Sequence, residues 1–299
     1  MLAAARGGRH SRGMISDAAG RRTLLLFALA SLAAVAAGAA TLAAAGQAPG
    51  AWLRNPIAWA VGALLGAGLY AGGRVQWVRL APLVIAPAAI ALTLLAEPVD
   101  GVHRWINAGP LHVNVAALVL PSMIVAAAFA GIRSHLGLGA SGAAAIVLFL
   151  QPDASQVTAL AAAAGLLALR SEEPLLHRAA IACAFAGATL ATWDMPAPPL
   201  QPVAEVEGIF GLAWAAVPML AGFAALALAA SAAAPLSLAG RGRRGDAALA
   251  LCAYFAVTAL APLAGAYPVP LVGLGMSFPV GWWLGIALLA GVEKEGASG

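Results

Sequence analysis

Residues 22–46 read RTLLLFALASLAAVAAGAATLAAAG, an apolar run that follows several arginines. A helix needs about 20 apolar residues to cross a bilayer. The run is too long for the apolar part of a signal peptide, which has about 7–15 residues. Because further runs of the same kind follow it, the stretch predicts a first membrane anchor that stays in the protein.

The composition points the same way. The chain has 299 residues, of which 62% are hydrophobic and 9% are charged, whereas a soluble domain carries about 25% charged residues. A single soluble core cannot cover that much apolar surface. The composition therefore predicts one polytopic, all-α membrane bundle, and the absence of a G-x-x-x-x-G-K-[ST] pattern argues against ATP hydrolysis by the chain itself.

Ten segments are candidates for membrane-spanning helices. The fifth and sixth are short and flank Gln151-Pro152-Asp153, so they are alternatively one broken helix pair that meets at a polar point. The ten segments are 22–46, 53–73, 77–96, 113–132, 137–150, 154–170, 177–194, 208–234, 247–266 and 270–292.

The basic residues predict the orientation of these segments. With the N-terminus in the cytoplasm, only Arg54 and Arg104 lie outside, which leaves 14 of the 16 Lys and Arg residues inside. Both termini are then cytoplasmic, with a basic tail at 1–21, a membrane domain at 22–292 and a short tail at 293–299. The formal charge of +4 is explained by loops that anchor to an anionic leaflet, without nucleic acid.

The predicted outer face is acidic and is where we expect function. The first polar site is the loop 97–112, in which Trp105 is either a headgroup anchor or part of a ligand-binding loop. In the second interpretation Arg104 presents a planar guanidinium to a phosphate. The six acids of this face are Glu97, Asp100, Asp153, Asp194, Glu205 and Glu207.

The second and third polar sites each allow two interpretations. Asp153 is either the N-cap of the helix that follows it or a ligand for a cation or a sugar hydroxyl. The third site is the proline-rich loop 193–210, where Glu207 is either a cap at a helix N-terminus or a general base at the membrane boundary. Glu205 shares a face with Glu207 only if this entry is extended like a strand.

A fourth feature is the apolar stretch 267–278, with two prolines and two glycines, which predicts a tight turn before the last helix. Together the four features resemble the SEDS family, the cell-wall glycan polymerases of the RodA and FtsW type. The family loop G-x-x-R-W-I-x-x-G-P matches residues 101–110, and Q-P-D matches 151–153. The stretch 268–277 follows L-P-x-P-x-V-S-Y-G-G-S loosely, and Pro202 precedes an acid by five residues, as in the family.

The chain departs from the family pattern at several positions. Ala117 and Leu120 stand where the family has the Glu and Lys of P-S-E-x-x-K. Glu207 stands where the family has an aspartate, and Gly273 and Leu274 replace the serine and tyrosine of V-S-Y-G-G-S. The resemblance is therefore to a divergent or minimal member.

The resemblance implies polymerisation of lipid II, an undecaprenyl-diphosphate-linked disaccharide, on the outer face of a bacterial cytoplasmic membrane. It implies a role in peptidoglycan synthesis, in cell shape or division, and a single-span transpeptidase as partner. Glu207 is then the carboxylate base, and Asp153 is the ligand of a divalent cation, Mg or Mn, that bridges to the diphosphate. The expected substrate-binding residues are Arg104, Trp105, Gln151, Asp153, Glu205 and Ser277.

Two other functions remain open at this point. A SEDS-like protein without polymerase activity would bind the lipid-linked substrate or act as a scaffold. A transporter or flippase of lipid-linked precursors would need a polar path through the bilayer. The sequence offers no intramembrane charged residue on such a path, which argues against transport.

Overall fold

The computed structural model describes residues 2–99, 101–109, 111–132, 134–196 and 200–292, and for residues 2–17 and 108 it describes the backbone only. The predicted C-terminal tail 293–299 lies outside the described residues, as do Asp100 of the acidic face and Pro110 of the family loop.

The described residues form a helical bundle, which confirms the predicted fold class. Short 3-10 helices at Thr93–Leu95, Ala234–Leu238 and Ala261–Leu263 extend three of the α-helices. In chain order α1 to α13 are Leu2–Ala44, Pro49–Trp52, Arg54–Gly72, Gln76–Leu80, Pro82–Leu92, Val115–Ala130, His135–Leu150, Ala154–Arg170, Leu175–Trp193, Ile209–Ala216, Pro218–Ala233, Arg243–Leu260 and Ser277–Gly291.

Each of the ten predicted segments overlaps at least one of these helices. Within the described residues, five helical stretches are long and apolar enough to cross a membrane, and α6, α7, α8 and α13 are apolar but shorter. The count of ten spans and the cytoplasmic termini stay predictions. The five long stretches are Ala18–Ala44, Gln76–Leu95, Leu175–Trp193, Pro218–Leu238 and Arg243–Leu263.

Two predicted segments were wrong as continuous helices. Segment 208–234 is divided at Val217, where Pro218 opens the second helix, because proline lacks the N–H that a helix interior needs and fits the first turn. Segment 77–96 corresponds to the single long stretch Gln76–Leu95. The last segment, 270–292, becomes helical only at Ser277, after the predicted turn.

A small β-hairpin is the exception to the all-α prediction. Strand β1, Trp105–Ala108, pairs antiparallel with β2, Leu111–Asn114, and the turn between them contains Gly109 with φ of 60°. Asn114 ends β2 and caps α6, since its Oδ1 accepts a hydrogen bond from the N–H of Ala117 at 2.9 Å. This cap explains why the fourth predicted segment is helical from Val115 rather than from residue 113.

Helices α6 and α13 form the centre of the bundle and are buried on nearly all sides. Their backbones approach closely: a Cβ on Gly281 would lie 2.0 Å from the carbonyl oxygen of Ala117, and one on Gly285 would lie 2.6 Å from Cβ of Pro121. Glycine serves as a small packing residue at this contact.

The two ends of α6 and α13 differ in their polar neighbours. At the C-terminal ends, Arg243 donates to the carbonyl of Phe129 and Arg244 donates to that of Ala290, both at 2.8 Å. Arginine near a helix C-terminus satisfies carbonyls that have no partner within the helix. The N-terminal ends, at Asn114 and Ser277, lie beside the acidic loops, so the bundle has a basic end and an end that carries the candidate site.

Candidate functional site

Arg104 joins the first two polar sites that the sequence predicts. It lies in the loop before β1 and is only 6% exposed. Its Nε donates to the carbonyl of Gln151 at 3.4 Å, and its Nη2 donates to the carbonyl of Pro152. Its Nε also lies 3.8 Å from Oδ2 of Asp153, so the loop and the α7–α8 turn are held together by one guanidinium.

Asp153 is held on both of its oxygens and is 1% exposed. Besides the ion pair through Oδ2, its Oδ1 accepts hydrogen bonds from Oγ of Ser155 at 2.9 Å and from the N–H of Gln156 at 3.3 Å. The predicted N-cap of α8 is therefore confirmed. Gln156 continues the network, because its Oε1 accepts from the hydroxyl of buried Tyr254 on α12 at 2.6 Å.

Gln151 holds the surroundings of Arg104 together. Its Nε2 donates to the carbonyl of Ile90 at 3.1 Å and to the hydroxyl of Thr93. Thr93 in turn donates to the carbonyl of His103 at 2.8 Å, next to Arg104 in the chain. The side-chain amide of Gln151 is thus occupied by contacts within the protein.

Two neighbouring cavities meet at Arg104. The first is a narrow cleft of about 10 Å³, room for no more than one water molecule, lined by Trp105, Asp153 and Tyr267 among others. The second has a volume of about 190 Å³ and is bounded by Trp193 and by residues of the loops that follow α9 and α12. Arg104 and Tyr267 line both cavities.

Tyr267 is a site residue that sequence reasoning placed only in an apolar turn. Its hydroxyl makes no hydrogen bond within the described part of the chain, although the ring is half-buried. Burial raises the pKa of Tyr267, the charge of Asp153 raises this pKa further, and Arg104 partly offsets the shift. A phenol at the start of the predicted turn 267–278 was the available signal, but the sequence could not show which loop it faces.

Glu207 and Glu205 lie in a turn, residues 204–207, rather than on an extended strand. Oε2 of Glu207 accepts a hydrogen bond from the N–H of Val203 at 2.7 Å, so it does not cap α10. Oε1 of Glu205 accepts from Nε2 of Gln47 at 2.7 Å. Neither glutamate lines the two cavities at Arg104.

Ser277 is linked to the strand that carries Trp105 through the backbone of Asn114. Oγ of Ser277 accepts a hydrogen bond from the N–H of Asn114 at 2.8 Å, and Asn114 is the register partner of Trp105 in the hairpin. Ser277 lines neither cavity, whereas Trp105 and Phe278 line the narrow cleft. Ser277 therefore fastens the start of α13 to the hairpin.

Asn55, at the start of α3, is a second residue that sequence reasoning missed. It is 2% exposed, and its Nδ2 donates to the carbonyls of Leu271 at 3.1 Å and Gly273 at 2.7 Å. Its Oδ1 accepts from the N–H of Gly275 at 3.0 Å. One side chain thus fixes the turn 271–275, where Leu271 has a φ of 63° that is strained for a branched residue.

The turn 271–275 also positions the segment that carries the two glutamates. The N–H of Leu274 donates to the carbonyl of Glu205 at 2.8 Å, and the N–H of Val269 donates to that of Val206 at 3.2 Å. A Cβ on Gly273 would lie 2.2 Å from the oxygen of Val206, so this contact requires glycine. The predicted turn 267–278 therefore positions the part of the loop 193–210 that carries the two glutamates.

The described residues fit a protein-held divalent cation poorly. They contain no group of three or more His, Cys, Asp or Glu side chains with the spacing of a metal site. Asp153 offers one carboxylate, but both of its oxygens are engaged and a guanidinium lies beside it. The predicted cation stays a prediction.

Comparisons with known proteins support the fold. No protein-family model and no curated protein matches the chain. The structure of the rod shape determining protein RodA of Thermus thermophilus is similar, with a TM-score of 0.63 and 17% sequence identity over 89% of this chain and 95% of that chain. An aspartate-to-alanine variant of the same RodA gives a TM-score of 0.64 and 18% identity over 89% of this chain and 96% of that one.

The similarity extends over nearly the whole of both chains. The fold of this chain is therefore that of RodA, a multi-helix membrane fold, and the resemblance inferred from four short motifs is confirmed at the level of the fold. The sequence identity is low, so the activity of this chain has to be argued from its own site.

Proposed function

We propose that the chain is a membrane protein of cell-wall synthesis that binds an undecaprenyl-diphosphate-linked disaccharide and polymerises its glycan. The observation that carries the proposal is the buried Arg104–Asp153 pair at the junction of two cavities, on a RodA-like fold. A fixed guanidinium group suits phosphate oxygens, because it is a permanently charged hydrogen-bond donor.

Arg104 has binding capacity left for an anion. Its Nε and Nη2 are used by backbone carbonyls, while its Nη1 makes no hydrogen bond within the described residues. Asp153 neutralises part of the charge, so one arginine provides little net positive potential for a diphosphate. Any divalent cation that takes part is therefore expected to arrive with the diphosphate and keep several water ligands, as Mg²⁺ commonly does.

In the proposed reaction Glu207 acts as general base. The acceptor hydroxyl gives its proton to the Glu207 carboxylate while its oxygen forms a bond to the anomeric carbon of the donor. The bond from that carbon to the diphosphate oxygen breaks, and the diphosphate leaves with the electron pair beside Arg104. Because Glu207 lies outside the cavities at Arg104, the acceptor sugar has to extend from the cavity toward the 203–208 turn.

A second candidate is favoured by the position of Glu207. Its carboxylate accepts the N–H of Val203, and this contact occupies one of the oxygens that the base would use. A chain that binds the same lipid-linked substrate without polymerising it is consistent with that contact. We infer that either function takes place at the outer face of a bacterial inner membrane. The expected partner is a single-span transpeptidase, in line with the RodA-like fold.

The test is a polymerisation assay with the purified chain and lipid II, with and without Mg²⁺ and a co-purified transpeptidase. We expect polymer from the unaltered chain and none from Glu207→Gln, with Glu172→Gln, an acid of a remote loop, as the matched control. Full activity of Glu207→Gln would exclude Glu207 as the base. Substrate binding without any polymer would support the second candidate.

A further inference from the structure

The larger cavity at Arg104 has an aromatic wall that the proposed chemistry does not use. Trp193, at the end of α9, and Tyr267, before α13, contact each other edge to face, with ring centroids 5.8 Å apart and planes at 71°. Both rings line the cavity of about 190 Å³ next to Arg104. Trp193 lies in none of the family motifs, and Tyr267 stands where the family has the leucine of L-P-x-P-x-V-S-Y-G-G-S.

Both rings are held in place before any ligand arrives. The indole Nε1 of Trp193 donates to the hydroxyl of Thr158 on α8 at 2.9 Å, although the side chain as a whole is 42% exposed. Tyr267 packs against this indole and is half-buried. Rigid aromatic side chains of this kind bind ligands at low conformational cost, since little rotamer freedom is lost on binding.

The size and polarity of the cavity restrict its occupant. An apolar cavity of about 150 Å³ holds a benzene molecule, so this one accommodates one six-membered ring. Its remaining polar groups, the guanidinium of Arg104 and the unbonded hydroxyl of Tyr267, lie at the side shared with the narrow cleft. An apolar chain would leave these groups without partners, whereas a ring that bears hydroxyl and phosphate groups would satisfy them.

We propose that this cavity binds one pyranose ring of a sugar phosphate, with the ring against Trp193 and Tyr267 and the phosphate at Arg104. The two aromatic residues then determine specificity for the sugar next to the diphosphate. The inference rests on the proposed function for the identity of the donor, but it concerns binding alone.

The chemistry of Tyr267 agrees with this arrangement. Burial and the charge of Asp153 raise its pKa above the usual 10.0, so the phenol stays neutral at physiological pH. A neutral phenol donates its proton to a phosphate oxygen, whereas a phenolate would repel it. The hydroxyl that has no partner in the described protein thereby gains one in the complex.

The test measures equilibrium binding to the full chain in nanodiscs of neutral lipid. Two ligands are compared: a short-chain prenyl diphosphate that carries one sugar and the same prenyl diphosphate without it. We expect the unaltered chain to prefer the sugar-bearing ligand by about tenfold, as one well-placed aromatic contact provides. Trp193→Ala is expected to abolish this preference, and Trp193→Phe is expected to retain most of it.

Two further variants complete the design. Trp214→Ala removes an exposed tryptophan of α10 that lines neither cavity, and it is expected to keep the full preference. Tyr267→Phe is expected to lower the affinity for both ligands by about tenfold, which is the effect of one hydrogen bond to a charged group. A Trp193→Ala chain that still prefers the sugar, or an unaltered chain without preference, would overturn the inference.

The proposed function and this inference fail in different ways. A chain that makes no polymer but shows the Trp193-dependent preference loses the polymerase proposal and keeps the sugar site. A chain that makes polymer while Trp193→Ala keeps the preference loses the sugar site alone.

Discussion

The side-chain amide of Asn55 donates a hydrogen bond to the carbonyl of Gly273 at 2.7 Å, across 218 positions of the chain. The same side chain bonds two further backbone groups of the turn 271–275, and that turn holds the backbone of Glu205 and Val206. The start of α3 is thereby linked to the segment that carries the proposed base.

Asn55→Ala tests this link. The change leaves buried backbone groups without partners, and we expect a loss of about 2–4 kcal/mol in the free energy of unfolding. Hydrogen exchange should increase at 203–208 and 271–275 more than in α6. Asn107→Ala is the control, because Asn107 is exposed in the hairpin and its side chain pairs with that of His112 on the opposite strand. Unchanged exchange at 203–208 would show that Asn55 does not position this segment.

Gly281→Ala tests the close packing of α13 on α6. The added methyl group would lie 2.0 Å from the carbonyl oxygen of Ala117, so the helices must separate. We expect destabilisation of about 1–3 kcal/mol, measured by thermal unfolding in detergent. Gly222→Ala on α11 places its methyl group in open space and is expected to be neutral or slightly stabilising. Equal melting temperatures for the two variants would contradict the packing argument.

Asp153→Asn tests the buried ion pair. Asparagine caps a helix as well as aspartate does, so the variant removes the charge and keeps the cap of α8. We expect destabilisation of about 3 kcal/mol, since Arg104 then lies buried without its carboxylate. The partly exposed pair Arg170–Asp246 supplies the comparison, and Asp246→Asn should cost less than about 1 kcal/mol. A smaller loss of stability for Asp153→Asn than for Asp246→Asn would show that the carbonyls of the α7–α8 turn stabilise the buried Arg104 without the carboxylate.

Addition of Mg²⁺ tests whether the chain holds the predicted cation by itself. Both oxygens of Asp153 are engaged, so millimolar Mg²⁺ alone is expected to leave the melting temperature unchanged. Mg²⁺ together with a prenyl diphosphate should raise it, because a bound ligand stabilises the folded state. A clear shift with Mg²⁺ alone, abolished by Asp153→Asn, would establish a protein-held cation site.

The ionisation of Tyr267 gives a prediction about pH. Burial, the main cause, raises its pKa above 10.0 in the folded chain, so the folded state keeps the proton longer than the unfolded state. The resulting stability is fully present below pH 10.0 and is lost as the pH rises through the folded pKa. Absorbance of tyrosinate, compared between the unaltered chain and Tyr267→Phe, should show a difference with a midpoint above 10.0. A midpoint at or below that value would place Tyr267 in contact with bulk water.

Local sequence patterns predicted which residues belong to this site better than they predicted how those residues are arranged. The N-cap role of Asp153 was readable because a cap depends on three or four consecutive residues. The break before Pro218 was equally local and could have been placed from the proline alone. By contrast, Asn55 looks like any polar residue near a membrane surface, and its three partners lie more than 200 positions away.

The sequence by itself determined that the chain is an apolar helical membrane protein and that its polar motifs resemble one family in their order. Composition and the length of the apolar runs suffice for that, because the bilayer requires each spanning segment to satisfy its own backbone. Only the tertiary structure decided that Arg104 meets Asp153, that Tyr267 and Trp193 share a cavity with Arg104, and that Glu207 lies apart. Such contacts depend on how α8, α9, α12 and α13 pack, and the residue order within one helix does not show which other helix it contacts.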